Sequence, residues 1–192
     1  MTVPVVERSP LPRIPLETRE DLHDWLERHH ADHAGFWLVQ WRPGTGGRTI
    51  PYEDVVEECL MFGWIDSTMQ VLDEQRNGLR LTPRKSGSVW SASNKQRLAR
   101  LEAAGMMRPA GVAAVERARA NGMYAFLDDI EALEVPDDLG GALGDLRRVF
   151  DGFAPGRRKQ ALYWVKAAKR PRTRADRIAK IVAAAAEGRS LF

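Results

Sequence analysis

Segments with the two-residue alternation of a β-strand occur only in the first half of this chain, and everything after them reads as helix. FWLVQWR (36–42) alternates apolar and polar positions and runs into the turn residues PGTGGRT. Residues 65–72 and 79–81 read as an antiparallel pair joined through DEQRNG, whose Asn77-Gly78 dipeptide is the turn signal. Helices surround these strands. Thr18 with Asp21 forms a capping box for a helix over 19–30, with Leu22, Trp25 and Leu26 as its apolar stripe. Pro51 opens a second helix that carries Val55, Val56, Cys59 and Leu60 on one face.

From residue 93 onward the period is helical throughout. Ser93 is the expected cap of a helix ending at Gly105, and PAGVAAVERARANG starts at its Pro and closes at Asn121-Gly122. Val135, Leu139, Ala142, Leu143, Leu146 and Phe150 mark the next helix. Ala161, Trp164, Val165 and Ala168 mark another, and Ile178, Ile181, Val182 and Ala185 the last. The expectation is an α+β fold: a small antiparallel sheet with flanking helices, then a C-terminal helical unit. Its expected divisions are an extended proline-rich arm at 1–17, an α+β domain at 18–134 and a helical unit at 135–192.

A chain of 192 residues with 44% hydrophobic and 29% charged residues can bury a core without a metal or disulfide. The lone Cys59 has no internal disulfide partner and reads as a small apolar group. No apolar run reaches the length of a membrane span, and the N-terminal stretch lacks the apolar region of a signal peptide, so the expected location is the cytoplasm.

The net charge of +3 conceals an asymmetry. Residues 1–156 hold 18 Lys/Arg against 24 Asp/Glu, a net of −6, whereas residues 157–192 hold 11 against 2, a net of +9. A basic tail of this kind fits either an anionic partner or the acidic remainder of the same chain. Lys169, Arg170, Arg172, Arg174 and Arg177 are the residues that would meet nucleic-acid phosphates.

The familiar catalytic and nucleotide-binding motifs are absent: no Walker loop, no G-x-G-x-x-G, no G-x-S-x-G and no paired cysteines. His29 and His33 stand one helical turn apart in HHADH, the spacing of a metal pair. Imidazoles at a helix C-terminus also suit the negative end of the helix dipole, and Gly35 favours that reading. No catalytic residue, metal or cofactor is assigned.

One stretch does gather binding chemistry. Trp64 and Asp66 share one face of their strand, while Arg80, Thr82 and Arg84 share a face of the partner. If the register joins those faces, an indole, a carboxylate and two guanidiniums converge, with Trp90, Asn94 and Arg97 approaching from the following loop and helix. Aromatic bodies with a few placed polar groups suit a small-ligand pocket. The competing reading puts Trp64 and Trp90 in the core and makes Arg and Asp a structural cross-strand pair.

WLERHHADHAGFWLVQW, ECLMFGWIDS, RLTPRKSGSVWSASNKQR and YWVKAAKRPRTRADRIAKIV together resemble the bacterial YdeI/OmpD-associated (OmdA) proteins, also labelled bacteriocin-protection proteins. The resemblance spans roughly residues 18–189. It implies an N-terminal part similar to the YjbR/CyaY-like α+β fold, relatives of which have been proposed to bind DNA, and it supplies no catalytic residues. Members commonly carry Gly after GWID, where this chain has Ser67.

These readings lead to a non-enzymatic cytoplasmic protein that holds a small or anionic ligand through Trp64, Asp66, Arg80, Arg84, Trp90 and Asn94, in stress or bacteriocin protection. The alternatives are nucleic-acid binding through the basic tail and an enzyme using Asp66 as an acid–base group.

Overall fold

The computed structural model describes residues 11–192. The chain divides into two compact units, the first ending at Tyr124 and the second spanning Ala125–Phe192. The fold is α+β, with every described strand in the first unit.

The elements of the first unit are β1 (Arg13–Pro15), α1 (Arg19–His29), β2 (Phe36–Trp41), α2 (Tyr52–Met61), β3 (Trp64–Val71), β4 (Arg76–Pro83), α3 (Ala92–Ala103) and α4 (Pro109–Ala120). The sheet order is β1-β2-β4-β3, antiparallel except for β1, which runs parallel to β2. The arm expected at residues 1–17 lies outside the described residues at positions 1–10, and part of the remainder is β1.

Thr18 accepts from the Asp21 amide at 3.1 Å while the Asp21 carboxylate accepts from the Thr18 amide at 3.0 Å, so the capping box opens α1 as the sequence indicates. Two other local signals resolve differently. Asn77-Gly78 lies inside β4, where Gly78 faces Gln70 on one side and Val39 on the other. The reversal is made by residues 72–75, because the Asp73 carboxylate accepts from the Gln75 and Arg76 amides at 2.9 and 2.8 Å. The cap of α3 is Ser91, which accepts from the Asn94 amide, and Ser93 sits inside the helix.

One face of the sheet and helices α1–α4 enclose a core of Leu22, Leu26, Phe36, Leu38, Val55, Leu60, Trp64, Leu81, Trp90 and Leu98, among others. α1 and α2 are further clamped by Glu58, 2% exposed, which accepts from Arg19 Nε at 2.7 Å and bonds His23 Nδ1 at 2.8 Å. Burying a carboxyl group without hydrogen-bond partners is costly, and these contacts offset that cost.

The second unit comprises α5 (Asp128–Glu131), α6 (Asp137–Leu143), a 3-10 turn (Gly144–Leu146), α7 (Arg147–Asp151), α8 (Pro155–Lys166) and α9 (Pro171–Ala186). The single helix expected over 135–150 is broken because Gly144 adopts φ 49° and ψ −123°, a conformation that L side chains avoid. Its own core gathers Ile130, Leu139, Leu143, Phe150, Leu162, Val165, Ile178 and Ile181. No helix among the described residues is long and apolar enough to cross a membrane.

Candidate functional site

The strand register decides which side chains meet. β3 pairs with β4 so that Trp64 opposes Pro83, Ile65 opposes Thr82 and Asp66 opposes Leu81. Directly opposed residues share a face, so Trp64 and Asp66 lie on the side of buried Leu81, away from Arg80 and Thr82. A bulge between Asp66 and Met69 then shifts the pairing. The register therefore does not join the two faces whose convergence was the sequence-level condition for the pocket.

Trp64 is 1% exposed and donates from Nε1 to the His30 carbonyl at 3.1 Å, with the rings of Trp25 and Phe36 against it. Trp90, 2% exposed, is also core. Asp66 is half-buried and accepts from the Tyr52 hydroxyl at 2.7 Å. Burial, together with that bond, pushes the Tyr52 phenol up to about 12. Asn94 accepts from Arg97 at 3.1 Å, and Arg97 pairs with Glu53 at 2.6 Å.

Arg84 is the anomaly. It is 7% exposed, its guanidinium lies over the Trp90 ring at 4.0 Å, and it donates to the Val89 carbonyl at 3.4 Å. Nε is buried without a hydrogen-bond partner. No carboxylate among the described residues comes within ion-pair distance of it, although Asp66 and Cys59 lie near enough to act on it electrostatically. Burial lowers its pKa to about 10.

Arg84 also lines a cavity of about 740 Å³ on the first unit, together with Leu11, Ala34, Ser67, Arg80, Thr82, Pro83 and Lys85. β4 supplies Arg80 and Thr82 from its face opposite the core, and its continuation supplies Arg84 and Lys85. Ser67, exposed after GWID, donates to the Arg80 carbonyl at 3.4 Å. Gly35 holds the neighbouring turn at φ 129°, where a Cβ would sit 2.7 Å from both the Leu81 carbonyl and Thr82 Cγ2. Among the described residues, three cations and two hydroxyls thus line one hollow, and no carboxylate does.

Of the sequence-level residues, Arg80 and Arg84 line this cavity, while Trp64 and Trp90 form the wall of the core. Asp66 and Asn94 lie among Tyr52, Glu53 and Arg97. Ser67, noted only as a departure from the GWID pattern, and Lys85 are not among the site residues that the sequence suggests. Ser67 could have been reached only by knowing the register, and Lys85 stands beside Arg84 in TPRK.

The basic tail divides as well. Arg174 pairs with Asp138 at 2.6 Å and donates to the Val165 carbonyl at 3.2 Å; Arg177 donates to the Trp164 carbonyl at 2.5 Å and lies over its ring. Lys169, Arg170 and Arg172 are exposed at the α8–α9 corner. His29 and His33 both pack their rings against Trp25, and no metal-binding group is present among the described residues.

Comparison with known families matches residues 14–114 to the family described as Domain of unknown function (DUF8412). Residues 132–188 match the family described as Bacteriocin-protection, YdeI or OmpD-Associated (OmdA). The OmdA resemblance thus holds for the C-terminal segment, whereas the N-terminal match does not support a YjbR/CyaY-like relationship. No curated protein and no solved structure shows significant similarity to the chain. With more than half of its residues inside the DUF8412 match, the chain belongs to that family, and a segment of its second unit is similar to the OmdA family.

Proposed function

We propose that this protein is a non-catalytic binding protein whose first unit holds a small anionic ligand in the cavity lined by Arg80, Arg84 and Lys85. The supporting observation is Arg84, a buried guanidinium with an unpartnered Nε and, among the described residues, no carboxylate at ion-pair distance. Burying an uncompensated charge costs several kcal/mol, on the order of the penalty for each ion of a buried pair. An anionic ligand supplies the missing counter-charge. The volume of about 740 Å³ lies within the range of small-molecule sites. A protective role fits the bacteriocin-protection description of the family matched by residues 132–188.

The test is a thermal-shift survey of acidic metabolites and their neutral counterparts at low ionic strength. A ligand at a hundred times its Kd adds about 2.7 kcal/mol, which raises the midpoint of a domain this size by roughly 5–10 °C. Stabilisation by acidic members alone, lost in Arg84→Met, is the expected result. A library without effect contradicts the reading.

A second reading, nucleic-acid binding, rests on Lys169, Arg170 and Arg172, which are exposed and carry no ion pair among the described residues. With Arg174 and Arg177 tied to internal partners, three phosphate contacts remain, and the slope of log K against log salt should be about −2.7 for duplex DNA. Absence of binding at about 50 mM salt removes this reading, since such contacts are strongest at low ionic strength.

A further inference from the structure

Resting on the anion-binding reading, we infer that the ligand is a phosphomonoester of a small organic molecule, its phosphoryl group held by Arg80, Arg84 and Lys85 and its organic body against Leu11, Ala34 and Pro83. Three observations converge on that class.

The first is charge. Among the described residues the lining contributes three cations and no carboxylate, and none of the three cations is paired there with an acid. A monocarboxylate would neutralise one of these charges, whereas a phosphomonoester carries a charge of about −1.5 to −2 at pH 7. The second is hydrogen-bonding capacity. Beside the cations stand the Ser67 and Thr82 hydroxyls, and among the described residues the guanidinium of Arg84 makes a single hydrogen bond, at 3.4 Å. A terminal phosphoryl presents three strong acceptor oxygens to such donors, and arginine meets phosphate through two parallel bonds.

The third is size and polarity. A hollow of about 740 Å³ is larger than an inorganic anion needs, and Leu11, Ala34 and Pro83 supply an apolar wall. Position also matters. Arg84 is fixed by its stack on Trp90, so one of the three cations is placed before any ligand arrives. Preplaced donors lose little freedom on binding.

Isothermal titration of the full chain at low ionic strength tests the inference with four sets of probes: AMP, ribose 5-phosphate and phosphoserine; adenosine, ribose and serine; succinate and citrate; and inorganic phosphate. At least one phosphomonoester is expected to bind a hundredfold tighter than its dephosphorylated counterpart and tenfold tighter than inorganic phosphate. Arg84→Met and the exposed-site variant Arg80→Met should each weaken it at least tenfold. Binding of carboxylates without phosphomonoesters overturns the phosphoryl assignment and leaves the anion-binding reading standing. Inorganic phosphate binding as tightly as the esters overturns the organic body. Unchanged affinity in both variants overturns the placement, and no binding by any anion overturns this inference together with the reading it rests on.

Discussion

The guanidinium of Arg84 lies 4.0 Å from the centre of the Trp90 ring, inside the protein and, among the described residues, with no carboxylate at ion-pair distance. A cation–π contact of this kind contributes about 0.5–2 kcal/mol, less than the several kcal/mol of desolvation that a buried ion costs. Arg84→Met keeps the methylenes on the indole and removes the charge. Its unfolding midpoint in urea should be equal to or higher than that of the natural chain. A loss of more than about 2 kcal/mol, the scale of a broken charged hydrogen bond, would make Arg84 a structural residue.

Trp64 belongs to the core. Trp64→Ala should cost about 3–5 kcal/mol, the usual range for deleting a large buried aromatic. Denaturant unfolding of the first unit, followed by circular dichroism, reads this directly. A near-neutral result would show that the indole had been facing water.

The helix cap offers a test of local register. Ser91→Ala removes the acceptor for the Asn94 amide and should cost about 1 kcal/mol. Ser93→Ala, inside the helix, should be neutral or slightly stabilising, since Ala is the stronger helix former. Equal effects of the two changes would contradict the observed cap.

Asp138 gives the second unit an acid-sensitive element. Its hydrogen bond to Arg174 holds the carboxyl below its ordinary 3.8. A depressed carboxylate contributes stability that is full above the unfolded value and is lost as pH falls through the folded one. The pair is half exposed, so the contribution is small, about 1 kcal/mol or less. Urea midpoints of the natural chain and Asp138→Asn should differ at pH 7 and converge near pH 2.

How much of this could be read from the sequence varied with the range of the interactions involved. Thr18 and Asp21 sit three residues apart and complete each other, so α1 was legible from five residues. The hairpin reversal was misplaced because Asn77-Gly78 is a strong local signal, yet tertiary packing claims it. As part of a central strand, Gly78 has the side chains of Leu72 and Trp37 within 3.3 Å of where a Cβ would be. Ser91 and Ser93 are chemically equivalent as caps, and only the helix start distinguishes them.

The site was legible in its ingredients and illegible in its assembly. Alternation correctly grouped Arg80 with Thr82 and Trp64 with Asp66 within each strand. Which group faces the core depends on pairing Asp66 with Leu81 and on the bulge that follows, and neither leaves a mark in local composition. That no carboxylate among the described residues reaches Arg84 at ion-pair distance is likewise a property of segments far apart in sequence.

The most direct test of the anion-binding account is a nitrogen-15 correlation spectrum of the arginine Nε–H groups, recorded while an acidic metabolite from the thermal-shift survey is added. The signal that disappears in Arg84→Met identifies the buried Nε. On titration that signal should move with saturating behaviour, while the Arg97 signal, bound to Glu53 at 3.0 Å, stays in place. An Arg84 signal that does not move while the metabolite demonstrably binds would contradict the account.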